Sequence, residues 1–403
     1  MKAVMYGAGN IGRGFIGALF SKSGYEVTFV DVAEPVVNAL KENNTYPVRY
    51  VSTEGYEDEW IKNVTAVNGN DVNAVADAIS NCDIMATAVG PRILKFIIPN
   101  IVEGLRKRWK SNKGNLNIII CENLMDANKV IEGMLKEKLT EEECAMLDKT
   151  VGLVEASIGR MVPVQTEEMK DGEPLRVCVE KYAFLPVDKD AFKGEIPKID
   201  NLVPSTPFDF YLKRKLYLHN MGHALCAYLG GFNGRKYVWQ AIEDPNVLYI
   251  VQNAMIDSAT AICKKFGVAV ESLLPHINDL LERFRNKALG DTCARVGGDP
   301  VRKLGANDRL VGSALLCIEQ GVSPAFIALG IAGAVYRYLN ESGKEQTVEN
   351  ARDSLKEISE LSADDQLTKI VLELYGYFLQ GEDTQIMRLA VQALKKKSLI
   401  NVI

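Results

Sequence analysis

The feature that most constrains the fold is a glycine-rich turn near the N-terminus, Gly7 to Gly12, with the sequence Gly-Ala-Gly-Asn-Ile-Gly. A β-rich run from Ala3 to Tyr6 leads into the turn, and a helix-like stretch over 11–23 follows it. In this context the first glycine permits a tight turn, the second lets the backbone approach a pyrophosphate, and the third allows close helix–strand packing. The sequence therefore predicts a dinucleotide site at the N-terminus of the first helix, where unpaired N–H groups favour an anion.

An acidic residue, Asp31, ends the second β-like run, where a carboxylate can accept hydrogen bonds from the adenosine ribose hydroxyls. It would repel a 2′-phosphate, and neither Val32 nor Ala33 offers an adjacent cation, so NAD is favoured over NADP. A flavin or S-adenosylmethionine site, or a plain tight turn, is the alternative for such a glycine sequence. The residues assigned to the cofactor are Gly7, Ala8, Gly9, Asn10, Ile11, Gly12, Asp31, Ala88 and Val89.

The two halves of the chain differ in their periodicity. Up to about residue 182, short β-rich runs alternate with helix-like segments, which implies a parallel sheet with right-handed crossovers. From about Asp209 long amphipathic stretches dominate, and a proline-punctuated loop, Ile196 to Pro207, precedes them. We therefore predict an α/β fold class: a Rossmann-type doubly wound NAD-binding domain over 1–200, followed by a mainly α-helical substrate-binding and catalytic domain over 201–403.

Composition excludes several classes of protein. The net charge of −5 argues against a nucleic-acid binder, and the longest mostly apolar run, Pro324 to Val335, is too short to span a bilayer. Eight cysteines are scattered without close pairing, and no secretory signal is visible. These patterns indicate a soluble cytoplasmic protein with reduced thiols, a monomer or small homo-oligomer with neither nucleic acid nor membrane as partner.

One short stretch concentrates reactive side chains. Lys215, Asn220 and His223 fall within one broad arc of an α-helical wheel, and His219 lies on the same arc. A lysine can act as a base where desolvation or nearby positive charge favours its neutral form, and an asparagine amide can donate to a developing alkoxide. A metal site is disfavoured because no glutamate follows His219 as in HExxH and no third ligand is evident. The alternative is an exposed amphipathic helix with an ordinary Lys/His surface.

The chain resembles the polyol-specific long-chain dehydrogenases. The resemblance runs through the glycine turn, Ala86–Pro91, Cys121–Asn123, Asn220–Ala224 and Arg295–Leu304. It implies a Lys-x4-Asn-x2-His motif at Lys215, Asn220 and His223, with the lysine as general base. It further implies that Asn220 and Asn123 polarise the reacting oxygen, that His223 orients substrate and lysine, and that no metal takes part.

The resemblance also implies a sugar-phosphate substrate, held by cations near Arg302 and Lys303. Two cations before a helix that Asn307 could cap would suit a phosphate, whereas an ordinary basic surface loop is the alternative. The candidate phosphate residues are Arg302, Lys303, Arg295 and Arg309. Gly298 and Gly159 depart from the family pattern, which has Arg and often Asp at these positions. The expected reaction is the NAD-dependent interconversion of D-mannitol 1-phosphate and D-fructose 6-phosphate. Alternatives are a related mannitol, fructuronate or tagaturonate type dehydrogenase and a non-enzymatic NAD(H) sensor.

Overall fold

The computed structural model of the protein describes residues 1–400, with side chains to residue 397. It divides into two compact units, one from Met1 to Asp209 and one that begins at Phe210. Among the described residues, no helix combines the length and apolar character needed to cross a membrane.

The first unit is built on a six-stranded, fully parallel sheet. Its strands, in chain order, are β1 (Lys2–Tyr6), β2 (Glu26–Asp31), β5 (Val64–Asn68), β6 (Ile84–Thr87), β7 (Leu116–Ile120) and β8 (Val151–Glu155). Their spatial order is β5-β2-β1-β6-β7-β8, which is the doubly wound order of a Rossmann fold. The predicted fold class is confirmed.

Helices connect these strands, and the first connection begins as a π-helix, Gly12–Gly17. The helices of this unit are α1 (Ala18–Lys22), α2 (Glu34–Asn43), α3 (Val72–Asn81), α4 (Leu94–Lys110), α5 (Ala127–Lys136), α6 (Glu141–Thr150) and α7 (Glu167–Lys170). Side chains alternate across the sheet, so Ala3 and Met5 of β1 enter one apolar cluster whereas Val4 and Tyr6 enter the other. The sheet is therefore covered on both faces.

Two smaller sheets accompany the large one. The hairpin β3 (Thr45–Ser52) and β4 (Gly55–Lys62) is antiparallel, and β9 (Val177–Val179) pairs parallel to β3. The strands β10 (Leu185–Asp188) and β11 (Leu202–Ser205) form a parallel pair. The sequence analysis did not identify β3, β4 or β5 as strands.

The second unit is helical. Its helices are α8 (Asp209–Lys213, which begins on the last residue of the first unit), α9 (Met221–Phe232), α10 (Val238–Ile242), α11 (Pro245–Phe266), α12 (Leu274–Phe284), α13 (Cys293–Val296), α14 (Pro300–Leu304), α15 (Val311–Glu319), α16 (Ala325–Glu341), α17 (Val348–Ser359), α18 (Gln366–Leu379) and α19 (Thr384–Ile400). A π-helix, Arg214–Asn220, joins α8 to α9, and 3-10 turns cover Val270–Ser272 and Lys287–Leu289.

The core of the second unit is organised around α16. Every residue from Ala325 to Val335 is buried, so this stretch is apolar all round, as expected of a helix with neighbours on every side. It packs against α9, α11 and α18. The longest apolar run of the sequence is thus a buried helix, and α9 packs against it.

Candidate active site

The glycine turn of the first unit leaves no room for side chains at two of its three glycines. Gly7 has a φ of +101°, and a Cβ there would lie 2.5 Å from the carbonyl oxygen of Ala88. A Cβ on Gly12 would lie 1.9 Å from the carbonyl oxygen of Gly7. A Cβ on Gly9, in contrast, would meet nothing within 4 Å. Gly7 and Gly12 are thus needed for packing, whereas Gly9 keeps an open approach to the backbone.

Asp31 stands at the end of β2 and is tied to the turn. Its Oδ2 accepts a hydrogen bond from the Ala8 amide at 2.7 Å, and its Oδ1 accepts one from the Ala33 amide at 3.0 Å. An ionised carboxylate offers about four acceptor positions, so two amide donors leave capacity for ligand hydroxyls. Asp31 is partly exposed, as a ligand contact requires.

Glu122, which the sequence analysis did not single out, organises the neighbouring strand ends. Its two carboxylate oxygens accept hydrogen bonds from the amides of Val89 (3.0 Å) and Gly90 (2.8 Å), and the residue is 7% exposed. This contact fixes the loop after β6 against the end of β7. Asn123, the next residue, is exposed. The sequence signal of this role is a carboxylate two residues after the strand Leu116–Ile120, within the segment Cys121–Asn123.

In the second unit the helix that carries the predicted catalytic residues is not α-helical throughout. Arg214–Asn220 forms a π-helix, which continues into α9. Because a π-helix closes its hydrogen bonds over five residues, side chains five apart lie more nearly above one another than in an α-helix. Lys215 and Asn220 are separated by this interval. The α-helical wheel assumed from the sequence was therefore wrong here, and the π-helix brings this pair closer to one face.

A buried serine contact supports the π-helix. The carbonyl of Tyr217 accepts a hydrogen bond from Ser258 Oγ at 2.9 Å, and this hydroxyl lies 3.0 Å from Ser313 Oγ. Leu218 and Met221 are fully buried. Lys215, Asn220 and His223 are all only partly buried.

All three histidines of the chain belong to one cluster. His219 is 6% exposed, and burial, followed by the charges of Arg283, His223, His276 and Lys215, holds its pKa well below the ordinary value. Burial also lowers the pKa of His276 to about 3, with Arg214 and Arg283 adding to the shift. His219 and His276 are thus neutral, and Arg283 contributes to the lowered pKa of both.

His223 has a defined environment. Its Nε2 lies 3.1 Å from Asp291 Oδ2, and its ring stacks on Phe284 with centroids 4.9 Å apart and an interplanar angle of 9°. Asp291 also accepts a hydrogen bond from the Arg295 guanidinium. The sequence analysis identified His223 and Arg295 but neither Asp291 nor Phe284. Nothing in the local sequence connects them, since α12 and the following loop reach His223 only through tertiary packing.

Two of the four candidate phosphate residues lie in the short helix α14. Arg302 is exposed, and its Nε donates to Asp299 Oδ2 at 2.8 Å. Lys303 is buried, and its ammonium donates to the carbonyl of Gly298. Burial lowers the pKa of Lys303 to about 8, and the charges of Arg309 and Arg302 contribute to the shift.

The helix-capping part of the phosphate prediction was wrong. Helix α15 begins at Val311 with Leu310, not Asn307, as its N-cap, and α14 is capped by Asp299. Arg302 and Lys303 therefore lie in the last turn of a helix, where the dipole does not favour an anion.

The four cations also form two sets. Arg309 donates to Asp308 at 2.7 Å and acts electrostatically on Lys303, as Arg302 does. Arg295 instead pairs with Asp291 beside His223. Among the residues with described side chains, no group of three or more His, Cys, Asp or Glu is placed to hold a metal ion.

The doubly wound sheet, the glycine turn and Asp31 at the end of β2 define a Rossmann-type dinucleotide-binding fold. Family comparison specifies it further. The family described as "Mannitol dehydrogenase Rossmann domain" matches residues 1–201, and "Mannitol dehydrogenase C-terminal domain" matches residues 208–396. The chain therefore belongs to the mannitol dehydrogenase family and is a polyol dehydrogenase.

Curated relatives agree with this membership. The chain is 38% identical over 380 residues to mannitol-1-phosphate 5-dehydrogenase of Shouchella clausii, covering 92% of this chain and 99% of that protein. It is 37% identical over 335 residues to the protein of the same name from Brevibacillus brevis, covering 83% and 86%. The resemblance to polyol-specific dehydrogenases drawn from the motifs is confirmed.

Solved structures share the fold at low sequence identity. A crystal structure of D-sorbitol dehydrogenase in substrate-free form matches with a TM-score of 0.77 at 16% identity, covering 96% of this chain and 94% of that one. A ternary complex of Pseudomonas fluorescens mannitol 2-dehydrogenase with NAD and D-mannitol matches with a TM-score of 0.74 at 15% identity, covering 98% and 94%.

Proposed function

We propose that the protein interconverts D-mannitol 1-phosphate and D-fructose 6-phosphate, with NAD as the cofactor and Lys215 as general acid and base. The observation that carries the proposal is the single π-to-α helix bearing Lys215, Asn220 and His223. The names of the curated relatives support the choice of substrate.

The residues of the first unit fit NAD. The open space at Gly9 suits a pyrophosphate at the start of the helix, and Asp31 retains acceptor capacity for the ribose hydroxyls. A 2′-phosphate would meet the Asp31 carboxylate, which disfavours NADP. NAD, when bound, supplies the acceptor for the hydride that leaves the alcohol carbon.

The second unit supplies the proton transfer. As the C–H bond breaks with its electron pair, the hydroxyl proton passes to Lys215 and the C–O bond becomes a carbonyl. A lysine accepts this proton only in its neutral form, so the proposed role requires a Lys215 amine that is neutral before the proton is transferred. The amides of Asn220 and Asn123 donate to the developing alkoxide, and His223 orients the substrate.

The candidate phosphate residues already have partners within the protein, which favours an unphosphorylated substrate as the second candidate. Arg295, Arg302 and Arg309 each bond a carboxylate and Lys303 bonds a carbonyl, so a phosphate would have to compete with these partners. Gly298 also stands where the family pattern has an arginine. An unphosphorylated polyol or an aldonate is therefore the second candidate.

A substrate panel separates the two. NADH oxidation is followed with D-fructose 6-phosphate, fructose, fructuronate and tagaturonate, with NADPH in parallel. We expect turnover with fructose 6-phosphate and NADH. Turnover with fructose or a uronate alone would overturn the phosphate assignment, and a preference for NADPH would overturn the role of Asp31.

Replacing Glu122 by Gln is expected to weaken NADH binding roughly tenfold. A carboxamide accepts only one of the two amide hydrogen bonds, so one N–H of the loop carrying Val89 loses its partner, at a cost of about 1–3 kcal/mol. Fluorescence titration with NADH measures the change. Glu132→Gln, which alters an exposed ion pair on α5, is the control. Equal affinities of both variants and the parent would contradict the role of Glu122.

The affinity for a phosphorylated substrate is expected to fall above pH 8. The lowered pKa of Lys303 leaves its amine charged below about pH 8 and neutral above it, and only the charged form attracts a phosphate. Asp299, Asp308, Arg302 and Arg309 set the local field around it. We expect KM for fructose 6-phosphate to rise several-fold between pH 7 and pH 9. Lys303→Met should show a raised KM that does not change between pH 7 and pH 9. If KM still rose over this range in the variant, the pH dependence would belong to another group.

A further inference from the structure

Asp291 joins two residues that belong to different parts of the predicted site. One carboxylate oxygen, Oδ2, lies 3.1 Å from His223 Nε2, within hydrogen-bonding distance, and the other, Oδ1, accepts a hydrogen bond from Arg295. Asp291 is 7% exposed, so this contact is shielded from water. A buried carboxylate with one oxygen bonded to Arg295 and the other close to His223 Nε2 has little rotational freedom.

The backbone fixes Asp291 as well. Its carbonyl oxygen accepts a hydrogen bond from the Val238 amide at 2.9 Å. The next residue, Thr292, forms an antiparallel bridge with Tyr237. Phe284 stacks on the imidazole and sets the plane of the ring. The orientation of His223 is thus determined by the residues around it.

We propose that Asp291 is a positioning residue that holds His223 in the Nε2–H tautomer. A carboxylate can only accept, so the neutral imidazole must carry its proton on Nε2, and Nδ1 then becomes the acceptor. For substrate turnover the inference rests on the proposed function, in which His223 orients the substrate and therefore needs a fixed ring and a fixed tautomer. The tautomer itself is independent of the substrate.

The substitution Asp291→Asn makes the proposal testable because Arg295 determines how the amide is oriented. The guanidinium has only donors, so the amide oxygen must face Arg295 and the amide NH2 must face His223. His223 Nε2 then has to accept, and the proton moves to Nδ1. The volume of the side chain is unchanged, but the tautomer is inverted. The double variant Asp291→Asn/Arg295→Met also removes the guanidinium donor. The amide can then turn its oxygen towards His223, and the tautomer with the proton on Nε2 is restored.

Nitrogen NMR of histidine-labelled protein at pH 9 reads the tautomer directly, because pyrrole-type and pyridine-type nitrogens differ widely in shift. With three histidines the spectrum is simple, and His223→Gln assigns the His223 signals. We expect the Nε2–H form in the parent, the Nδ1–H form in Asp291→Asn, and the Nε2–H form again in the double variant. An Nδ1–H tautomer in the parent, or an unchanged tautomer in Asp291→Asn, would overturn the proposal.

Kinetics then test the link to function. Asp291→Asn should lower kcat roughly 10- to 100-fold, the effect known for carboxylates that orient metal-bound histidines, with NADH affinity unchanged. Glu282→Gln, which removes an exposed carboxylate paired with Arg285, is the matched control and should retain full activity. A tautomer change without loss of kcat would overturn the orienting role of His223 in turnover. If no polyol or ketose is a substrate of the parent protein, the proposed function fails, but the NMR result still decides the role of Asp291.

Discussion

Lys215→Ala is expected to lower kcat by about 10²- to 10⁴-fold, the range for loss of a general base. The proposed mechanism leaves no other group in the Lys215, Asn220 and His223 set to take the hydroxyl proton. NADH binding should persist because the glycine turn and Asp31 lie in the first unit. Steady-state kinetics and NADH titration of the same preparation measure both quantities.

Lys215→Arg distinguishes the loss of a base from the loss of a positive charge. Arginine keeps the positive charge but does not deprotonate near neutral pH, so a base is lost while a charge is retained. We expect this variant to be nearly as inactive as Lys215→Ala. Substantial activity in Lys215→Arg would mean that the residue acts through its charge alone. Full activity in both variants would mean that another group takes the hydroxyl proton. Absence of turnover of any polyol or ketose by the parent protein would instead support a non-enzymatic NAD(H)-binding protein.

Gly9→Ala is expected to weaken NADH binding by at least about tenfold, or 1.4 kcal/mol, without destabilising the protein. A Cβ at this position meets no protein atom within 4 Å, so the folded state accommodates it. It would instead project into the open space where the pyrophosphate is proposed to lie close to the backbone. Fluorescence titration measures the affinity, and thermal unfolding measures the stability.

Two further glycine substitutions bracket this result. Gly133 lies in α5, and an added Cβ there would also meet nothing within 4 Å. Gly133→Ala should therefore leave NADH affinity unchanged and should not destabilise the protein. Gly12→Ala should destabilise the protein, because its Cβ would clash with the carbonyl of Gly7. Unchanged NADH affinity in Gly9→Ala would place the cofactor elsewhere.

Much of the first unit is predictable from sequence because its signals are local. Each β-rich run and helix-like stretch around the glycine turn has the periodicity of its final structure, and the turn residues punctuate them. The strands β3 to β5 are not predictable in the same way. Strand β4 is a charged edge strand with mostly exposed residues, and β5 is a run of only five residues whose partner, β2, lies more than thirty residues earlier in the chain. Their pairing is decided by long-range contacts.

The helix that carries the proposed catalytic residues shows a different limit of prediction from sequence. The residues Lys215, Asn220 and His223 are visible in the sequence, but the π-helix that sets their relative angles is not, because a wheel assumes one constant repeat. The pairing of His223 with Asp291 depends on how α12 and its loop pack against α9. Similarly, the capping role assigned to Asn307 was wrong because the helix begins later, at Val311. Tertiary contacts determine all three features.

The most direct test of the proposed function is the identity of the product. The protein is incubated in separate reactions with D-fructose 6-phosphate, fructose and a uronate, each with NADH carrying deuterium at both C4 positions. The products are separated by chromatography against authentic standards and examined by mass spectrometry. The proposed function predicts D-mannitol 1-phosphate with one deuterium on the carbon that was the ketone. Absence of a deuterated hexitol phosphate, with deuterium appearing only in products of fructose or of a uronate, would contradict it.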